Sequence, residues 1–246
     1  MIFRNGFRSI HPAPKAGSEA PPPCFDRIAR LYRWMEYVTF GPYLWRCRCV
    51  FLSALPDCRR ALVFGDGDGR FTARLLAANP AIRIDAVDVS QAMLRSLLRR
   101  ARPHPCRVRT HCADARLWEA AIFADRAEPW DLVVSHFFLD CLTTAETQTL
   151  AANLRSTLSP AAVWLISEFA VPESAFGRLF ARPIVSLLYR AFRVLTGLSV
   201  RNLPHYDAAL RSAGFSRLRQ HASLGGLLVS ELWIAEKPAP GISTLM

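Results

Sequence analysis

Short apolar runs alternate with segments of helical periodicity from residue 60 onwards, and this alternation restricts the fold more than any other feature of the sequence. Helical periodicity predicts helices over residues 69–78, 91–100 and 144–157, and Ser90 is placed to cap the second of them. The predicted strands are the apolar runs at residues 60–65, 82–88, 107–112, 131–135 and 162–168. Because parallel strands need crossover connections, which are usually helices, the sequence predicts an α/β fold with a doubly wound parallel sheet.

The C-terminal part of the pattern predicts a change of strand direction. A helix is expected over residues 204–213, ending at Gly214. Two last strands, 215–221 and 227–236, are separated by Gly225-Gly226, which is consistent with an antiparallel hairpin.

The remaining segments give the domain organisation. N-terminal helices are predicted between residues 24 and 55, and a helical insertion or lid follows the fifth strand at 171–203. We therefore expect one domain over residues 24–237. A Pro-rich disordered tail precedes it at 1–23, and a short tail follows it at 238–246.

Composition indicates a cytoplasmic protein that is attracted to anions. The net charge is +11 and the pI is about 10.0, but we find no RNP-type aromatic motif, helix-turn-helix signal or finger spacing, so no nucleic-acid partner is expected. The seven cysteines include no CxxC pair, which favours reduced thiols and no metal site. No apolar run reaches the roughly 20 residues that span a bilayer, and the basic N-terminus lacks the apolar core of a secretory signal.

The sharpest local signal is a glycine-rich turn directly after the first predicted strand. It reads Ala61-Leu-Val-Phe-Gly-Asp-Gly-Asp-Gly-Arg-Phe71. Glycine permits the tight turn and lets a ligand approach the backbone, and the N–H groups at a helix start have no partner inside the helix. We therefore predict that Gly65, Gly67 and Gly69 bind a ligand.

Two carboxylates follow at the ends of the next two predicted strands. Asp88 lies 19 residues after Gly69, where nucleotide-binding α/β folds use an acid to accept hydrogen bonds from ribose hydroxyls. Asp114 ends the third strand and is placed to accept a hydrogen bond from an adenine amino group. With the adjoining Val89, these residues complete a predicted nucleotide pocket at the carboxyl edge of the sheet.

The charge of the glycine turn distinguishes between nucleotides. Arg70 stands where the dinucleotide motif G-x-G-x-x-G has its third glycine. Asp66 and Asp68 place negative charge where a pyrophosphate would lie, and they suit a cationic ligand better. S-adenosylmethionine has a sulfonium and an ammonium group and no phosphate, so these residues favour it over a nicotinamide dinucleotide. A nicotinamide-dependent oxidoreductase stays as an alternative.

These motifs together resemble those of class I S-adenosylmethionine-dependent methyltransferases, over roughly residues 24–237. The matching segments are Gly65-Asp-Gly-Asp-Gly69, Asp88, Ala113-Asp-Ala115 and Asp131-Leu-Val-Val-Ser-His-Phe-Phe-Leu-Asp140. A shorter segment, Phe25-Asp-Arg-Ile-Ala-Arg-Leu-Tyr32, resembles the start of ubiquinone/menaquinone C-methyltransferases.

The resemblance implies a Rossmann-like, seven-stranded sheet with an antiparallel last strand, and S-adenosylmethionine as cofactor. It also implies that Asp88 binds ribose and that Asp114 and Ala115 frame the adenine. One departure is Val63, where the family usually has an acid that helps to hold the methionine end. Either Asp66 or Asp68 takes over part of that role, or the methionine end is held differently.

The candidate catalytic residues lie at the end of the fourth strand and just after it. Ser135 is predicted to contact the cofactor. His136 is the candidate general base, because its unperturbed pKa lies near neutrality, although it could instead pack beside the cofactor with no proton role. Asp140 could orient His136 or act as the base itself.

The insertion carries the only indication of the acceptor. Residues 176–195 contain four arginines, no acid and many large apolar side chains. This segment could cover a lipophilic acceptor, lie on an anionic membrane surface, or pack on the sheet with its arginine tips in water. We predict a methyltransferase for a small, lipophilic acceptor, with peripheral membrane contact as a further possibility. A non-catalytic protein that only binds S-adenosylmethionine stays as an alternative.

Overall fold

Seven strands form one sheet in the order β3-β2-β1-β4-β5-β7-β6. The computed structural model describes residues 40–117, 128–172, 179, 182–187 and 204–236. The strands are β1 (Arg60–Phe64), β2 (Arg83–Asp88), β3 (Val108–Cys112), β4 (Trp130–His136), β5 (Leu158–Phe169), β6 (Phe215–Ser223) and β7 (Leu228–Ala235). All seven were predicted, and the structure lengthens β4 by one residue at each end and begins β5 four residues earlier.

The strand directions confirm the predicted seven-stranded, Rossmann-like α/β sheet. The five strands β1 to β5 pair in parallel, whereas β7 runs antiparallel to both β5 and β6. The reversal follows from the short connection at Gly225 and Gly226, which both have positive φ. Only a crossover could have kept β7 parallel to β6.

Helices cover both faces of the sheet. They are α1 (Tyr43–Cys49), α2 (Arg70–Ala78), α3 (Gln91–Arg100), α4 (Thr144–Arg155) and α5 (Tyr206–Ser212). Ser90 caps α3, as predicted, because its hydroxyl accepts the Met93 N–H at 3.2 Å. Thr143 and Glu146 form a capping box at the start of α4.

Two apolar layers hold these helices on the sheet. One layer lies under α2 and α3 and includes Phe71 and Leu97, and the other lies under α4 and α5 and includes Trp164. A third cluster joins α1 to the ends of β5 and β7, and Val185 from the helical stretch 182–187 is buried in it. That stretch is the described part of the predicted insertion, and it packs next to α1.

Other predictions fall outside the described residues. They are the N-terminal tail 1–23, the C-terminal tail 238–246, most of the insertion 171–203, and residues 24–39 of the predicted N-terminal helices, which include the segment that resembles ubiquinone/menaquinone C-methyltransferases. Among the described helices, none combines the length and the apolar composition that a membrane span requires.

Gly69 has a packing function that the sequence did not indicate. Its φ is +81°, and a Cβ added there would lie 2.5 Å from the Leu97 Cα, so it allows the start of α2 to touch α3. Gly214 has the same φ of +81°, but its added Cβ would meet nothing closer than the Arg155 Nε at 3.8 Å. Substitutions at the two glycines therefore distinguish the cost of a packing clash from the cost of backbone strain.

We expect Gly69→Ala to lower the free energy of unfolding by about 2 kcal/mol more than Gly214→Ala, because only the first adds a clash with backbone to the strain of positive φ. Urea unfolding of the two variants measures the difference. Equal losses would show that the close approach of α2 to α3 does not constrain residue 69.

Candidate cofactor site at the strand tips

The predicted site residues lie at the carboxyl edge of the parallel strands, at the point where the strand order reverses. This switch point is between β1 and β4, whose Phe64 and Ser135 are paired neighbours. Ligands of doubly wound sheets bind in the crevice outside such a point. The glycine turn follows β1, Asp88 ends β2, Asp114 follows β3 and His136 ends β4.

The glycine turn needs its first two glycines for backbone conformation. Gly65 and Gly67 both have φ of +59°. A Cβ at Gly65 would also lie 2.9 Å from Cδ2 of Phe138, so the turn after β4 packs directly against the turn after β1. Both glycines keep the predicted role in admitting a ligand, whereas Gly69 is explained by its contact with α3.

The carboxylate of Asp66 is hydrogen-bonded to the start of α2. Its Oδ2 accepts the Thr72 N–H at 2.8 Å, so the carboxylate caps the helix. Burial raises the pKa of Asp66 to about 6, although the hydrogen bonds to Thr72 and the charge of Arg48 oppose the rise. Asp66 is therefore mostly ionised at neutral pH.

Asp68 is held by two arginines. Its carboxylate pairs with the Arg70 Nε at 2.9 Å and with the Arg100 Nη2 at 2.7 Å, and Arg100 also donates to the Asp68 carbonyl. The negative charge that was expected to attract a cationic ligand is largely compensated within the protein.

Asp88 and Val89 form the end of the second strand. Asp88 is partly exposed, and its Oδ1 accepts the Ser90 N–H at 2.8 Å, which orients the carboxylate at the start of α3. The Val89 carbonyl lies 3.6 Å from the Sγ of Cys112, the last residue of the parallel strand β3. The geometry is compatible with the predicted contact between Asp88 and ribose.

Asp114 has a partner that the sequence did not reveal. Arg116 contacts both carboxylate oxygens through Nε and Nη2, at 2.6–3.0 Å, and its backbone N–H donates to Oδ1. Ala115 beside it is 6% exposed and packs in the layer under α4 and α5. An adenine amino group would share the Asp114 carboxylate with this guanidinium.

Ser135 has a structural partner. Its side chain is fully buried, and its hydroxyl accepts the indole N–H of Trp164 at 2.9 Å inside the sheet layer. The side chain is thus not directed to a ligand, and any contact with the cofactor is restricted to its backbone.

His136 is buried at the end of β4. It is 2% exposed and packs edge-on against Phe71, with ring centroids 4.4 Å apart. Neither ring nitrogen has a hydrogen-bond partner within the described residues. Burial and the charge of Arg48 lower the pKa of His136 well below its usual value, so the ring is neutral and a weaker base than the sequence suggested.

The turn after β4 contains a strained residue and a carboxylate that sequence reasoning missed. Phe137 has φ of +52°, which is uncommon for a bulky residue and is often found at functional sites. Oε1 of Glu168, at the end of β5, accepts the N–H groups of Phe138 and Leu139 at 3.0 and 2.8 Å. An acid at the end of an apolar strand was the available signal, and it was overlooked.

Asp140 lies in the same turn. Burial raises its pKa to about 6, and the Cys141 thiol donates to its Oδ1 at 3.4 Å. Burial and the charge of Asp140 raise the pKa of Glu168 well above the usual range. Among the described residues, no group of three side chains could hold a metal ion.

Arg48 is the second residue that sequence reasoning missed. It projects from α1, is only 5% exposed, and lies over the Phe137 ring with 5.3 Å between its Cζ and the ring centroid. Its charge lowers the pKa values of Asp66 and His136. The arginines are so numerous in this chain that none stood out.

Residues 61–161 match a family model described as a methyltransferase domain. None of the curated proteins matches the chain in sequence. The matched range begins in β1 and ends within β5, and it therefore includes the glycine turn, Asp88, Asp114, His136 and Asp140.

Several solved structures with the same fold are methyltransferases. The N-methyltransferase NodS from Bradyrhizobium japonicum WM9, in complex with S-adenosyl-L-homocysteine, is 15% identical with a TM-score of 0.54, over 79% of this chain and 85% of that chain. An O-methyltransferase family 2 protein from Planctomyces limnophilus DSM 3776, in complex with apigenin, is 18% identical with a TM-score of 0.62, over 84% and 61%. The mitomycin 7-O-methyltransferase MmcR is 15% identical with a TM-score of 0.62, over 86% and 60%. These likenesses establish the fold.

The neutral state of His136 predicts a pH effect on stability. The folded protein keeps this ring neutral, whereas the unfolded chain protonates it near the ordinary pKa of 6.5, so stability decreases as pH falls through that value. In His136→Gln the slope of unfolding free energy against pH between 7 and 5 is expected to be shallower by up to about 1.4 kcal/mol per pH unit. Denaturant titrations at several pH values test this. Parallel plots of unfolding free energy against pH for wild type and variant would contradict the prediction. His221→Gln, at an exposed histidine, is the control.

Proposed function

We propose that this chain, whose residues 61–161 match a model described as a methyltransferase domain, transfers the methyl group of S-adenosylmethionine to a small acceptor with an apolar body. One observation carries the proposal. The glycine turn, Asp88 and buried polar atoms without hydrogen-bond partners in the described structure converge at the switch point of the sheet; these atoms are the two ring nitrogens of His136 and Oε2 of Glu168.

The residues at this edge fit the cofactor. Gly65 and Gly67 have the positive φ of a tight turn that lets a ligand approach the backbone, and Asp88 is partly exposed and offers a carboxylate to ribose hydroxyls. Adenine would lie beside Asp114 and Ala115, where Arg116 is a further hydrogen-bond donor. Val63 has no charge to offer the methionine end, whereas Asp66 in the glycine turn interacts with the charge of Arg48.

S-adenosylmethionine supplies an activated methyl group, so the protein has to position the acceptor and exclude water. A base is required only when the acceptor loses a proton. Of the two predicted candidates, Asp140 fits this role better. Burial raises the pKa of Asp140 to about 6, which makes its carboxylate a stronger base, whereas burial lowers the pKa of His136 and makes its ring a weaker base. His136 fits a role as a hydrogen-bonding wall beside the cofactor.

Aromatic walls support an acceptor with an apolar body. Phe137 and Phe169 lie with ring centroids 4.9 Å apart at the ends of β4 and β5, and Phe40 packs against Phe169 at 5.3 Å. An apigenin complex of one protein with the same fold agrees with a flat, small acceptor. The lipophilic character of the acceptor is part of our proposal.

Apolar side chains on the described part of the insertion support a lid or a peripheral membrane contact. Leu179 and Leu187 are both 69% exposed and Ile184 is 40% exposed. Single exposed apolar residues are ordinary, but three within nine residues next to a basic residue, Arg182, favour an apolar ligand or an interface. The six cysteines in the described residues form no disulfide bond there, which is compatible with a cytoplasmic location.

The function is tested by methyl transfer from S-adenosylmethionine with an isotope-labelled methyl group into fractionated lipid and metabolite extracts. We expect labelled product in an apolar fraction of low molecular mass. Cofactor binding without any labelled product in these extracts would instead favour a non-catalytic binding protein.

Asp88→Ala is expected to weaken binding of S-adenosylhomocysteine at least about tenfold, because the ribose loses a hydrogen bond to a charged acceptor. Isothermal calorimetry on the purified variant measures the change, with the exposed Asp57→Ala as control. An unchanged affinity would remove the ribose assignment.

A further inference from the structure

The two oxygens of the Glu168 carboxylate have different surroundings. The side chain is 1% exposed, and Oε1 accepts the N–H groups of Phe138 and Leu139. Oε2 is equally buried and makes no hydrogen bond within the described residues, while the Asp140 N–H is a third backbone donor close to the carboxylate. Because buried polar atoms in folded proteins are nearly always paired, Oε2 is a candidate for completion by a ligand.

A second carboxylate makes this end of the site acidic. The charge of Asp140 adds to burial in raising the pKa of Glu168, so the two groups interact. Adjacent carboxylates destabilise each other when both are ionised, and a hydrogen-bond donor placed between them relieves that repulsion. The pair therefore favours a ligand group that carries a polar hydrogen.

The pair is fixed relative to the predicted cofactor site. Phe138, held by Glu168, stacks on Phe64 with ring centroids 5.3 Å apart, and its ring would touch any Cβ added to Gly65. Burial, Asp140 and Glu168 all raise the pKa of the Cys141 thiol, and Asp88 adds to this effect. The carboxylates thus lie close to both turns that would surround the methyl donor.

We propose that Asp140 and Glu168 form an acidic subsite for the methyl acceptor, in which Oε2 of Glu168 accepts a hydrogen bond from the hydroxyl or amine hydrogen of the group to be methylated. The inference rests on the proposed function and deepens it, since it selects protic acceptors. On transfer, the acceptor atom bonds to the methyl carbon and its proton passes to the carboxylate pair. The carbon–sulfur electron pair stays on sulfur, which leaves S-adenosylhomocysteine.

Glu168→Gln tests the role of Oε2 without removing the support of the turn. The amide nitrogen cannot accept a hydrogen bond, so the amide oxygen has to face the N–H groups of Phe138 and Leu139. The NH₂ group then takes the place of Oε2 and presents a donor instead of an acceptor. A matched control is Glu231→Gln, since Glu231 is also 1% exposed but has partners for both oxygens, Arg217 and Trp233.

The probes are 4-hydroxybiphenyl with its methyl ether, and 4-aminobiphenyl with its N,N-dimethyl derivative, titrated by calorimetry into protein saturated with S-adenosylhomocysteine. We expect wild type and Glu231→Gln to bind one protic probe at least about tenfold more tightly than its blocked partner, because the blocked probe leaves the buried Oε2 without a hydrogen-bond donor. The arm that shows the preference distinguishes a hydroxyl acceptor from an amine acceptor. In Glu168→Gln the ratio is expected to fall to about one while the affinity for S-adenosylhomocysteine is retained.

Equal binding of protic and blocked probes by wild type would overturn the subsite, as would a preference that persists in Glu168→Gln. If Glu168→Gln does not fold, the same titrations are made with Asp140→Asn. A lowered preference for the protic probe then supports the carboxylate pair, and an unchanged preference contradicts it. If the wild type does not bind S-adenosylhomocysteine at all, that result would instead contradict the proposed function.

Discussion

The structure of the site depends on the turn that follows β4, and one buried carboxylate holds that turn. Glu168, near the end of the neighbouring strand β5, accepts two backbone N–H groups from it. This β4 turn also supports the glycine turn after β1, through the contact between Phe138 and Gly65. Three strand ends are thereby fixed to one another, which a crevice at a switch point requires in order to hold a ligand in one orientation.

Electrostatics at this edge differ from what the acidic sequence Gly-Asp-Gly-Asp-Gly suggests. Asp68 and Asp114 are paired with arginines, and Asp66 caps a helix. Selectivity for a cationic cofactor therefore cannot come from a simple excess of negative charge around the glycine turn. The acidic residues that remain close to the β4 turn are Asp88, Asp140 and Glu168, and the buried cation opposite them is Arg48.

Local patterns in the sequence were sufficient for the fold and for part of the site. Apolar runs and caps predicted every strand and the helix that Ser90 begins, because each of these signals acts over a few residues. Contacts between distant residues left no such local signal. The pairing of Arg116 with Asp114 needs the geometry of a turn, the contact of Gly69 with Leu97 needs two packed helices, and the support of Phe138 by Glu168 joins residues that are 30 positions apart.

Hydrogen–deuterium exchange with and without S-adenosylhomocysteine tests the central claim most directly, namely that the carboxyl edge at the switch point binds the methyl donor. The account predicts slower exchange in peptides that contain the glycine turn, the end of β2 and the turn after β4, and little change in β6. Unchanged exchange in these three segments at a saturating concentration of the ligand, or protection confined to another surface, would contradict it.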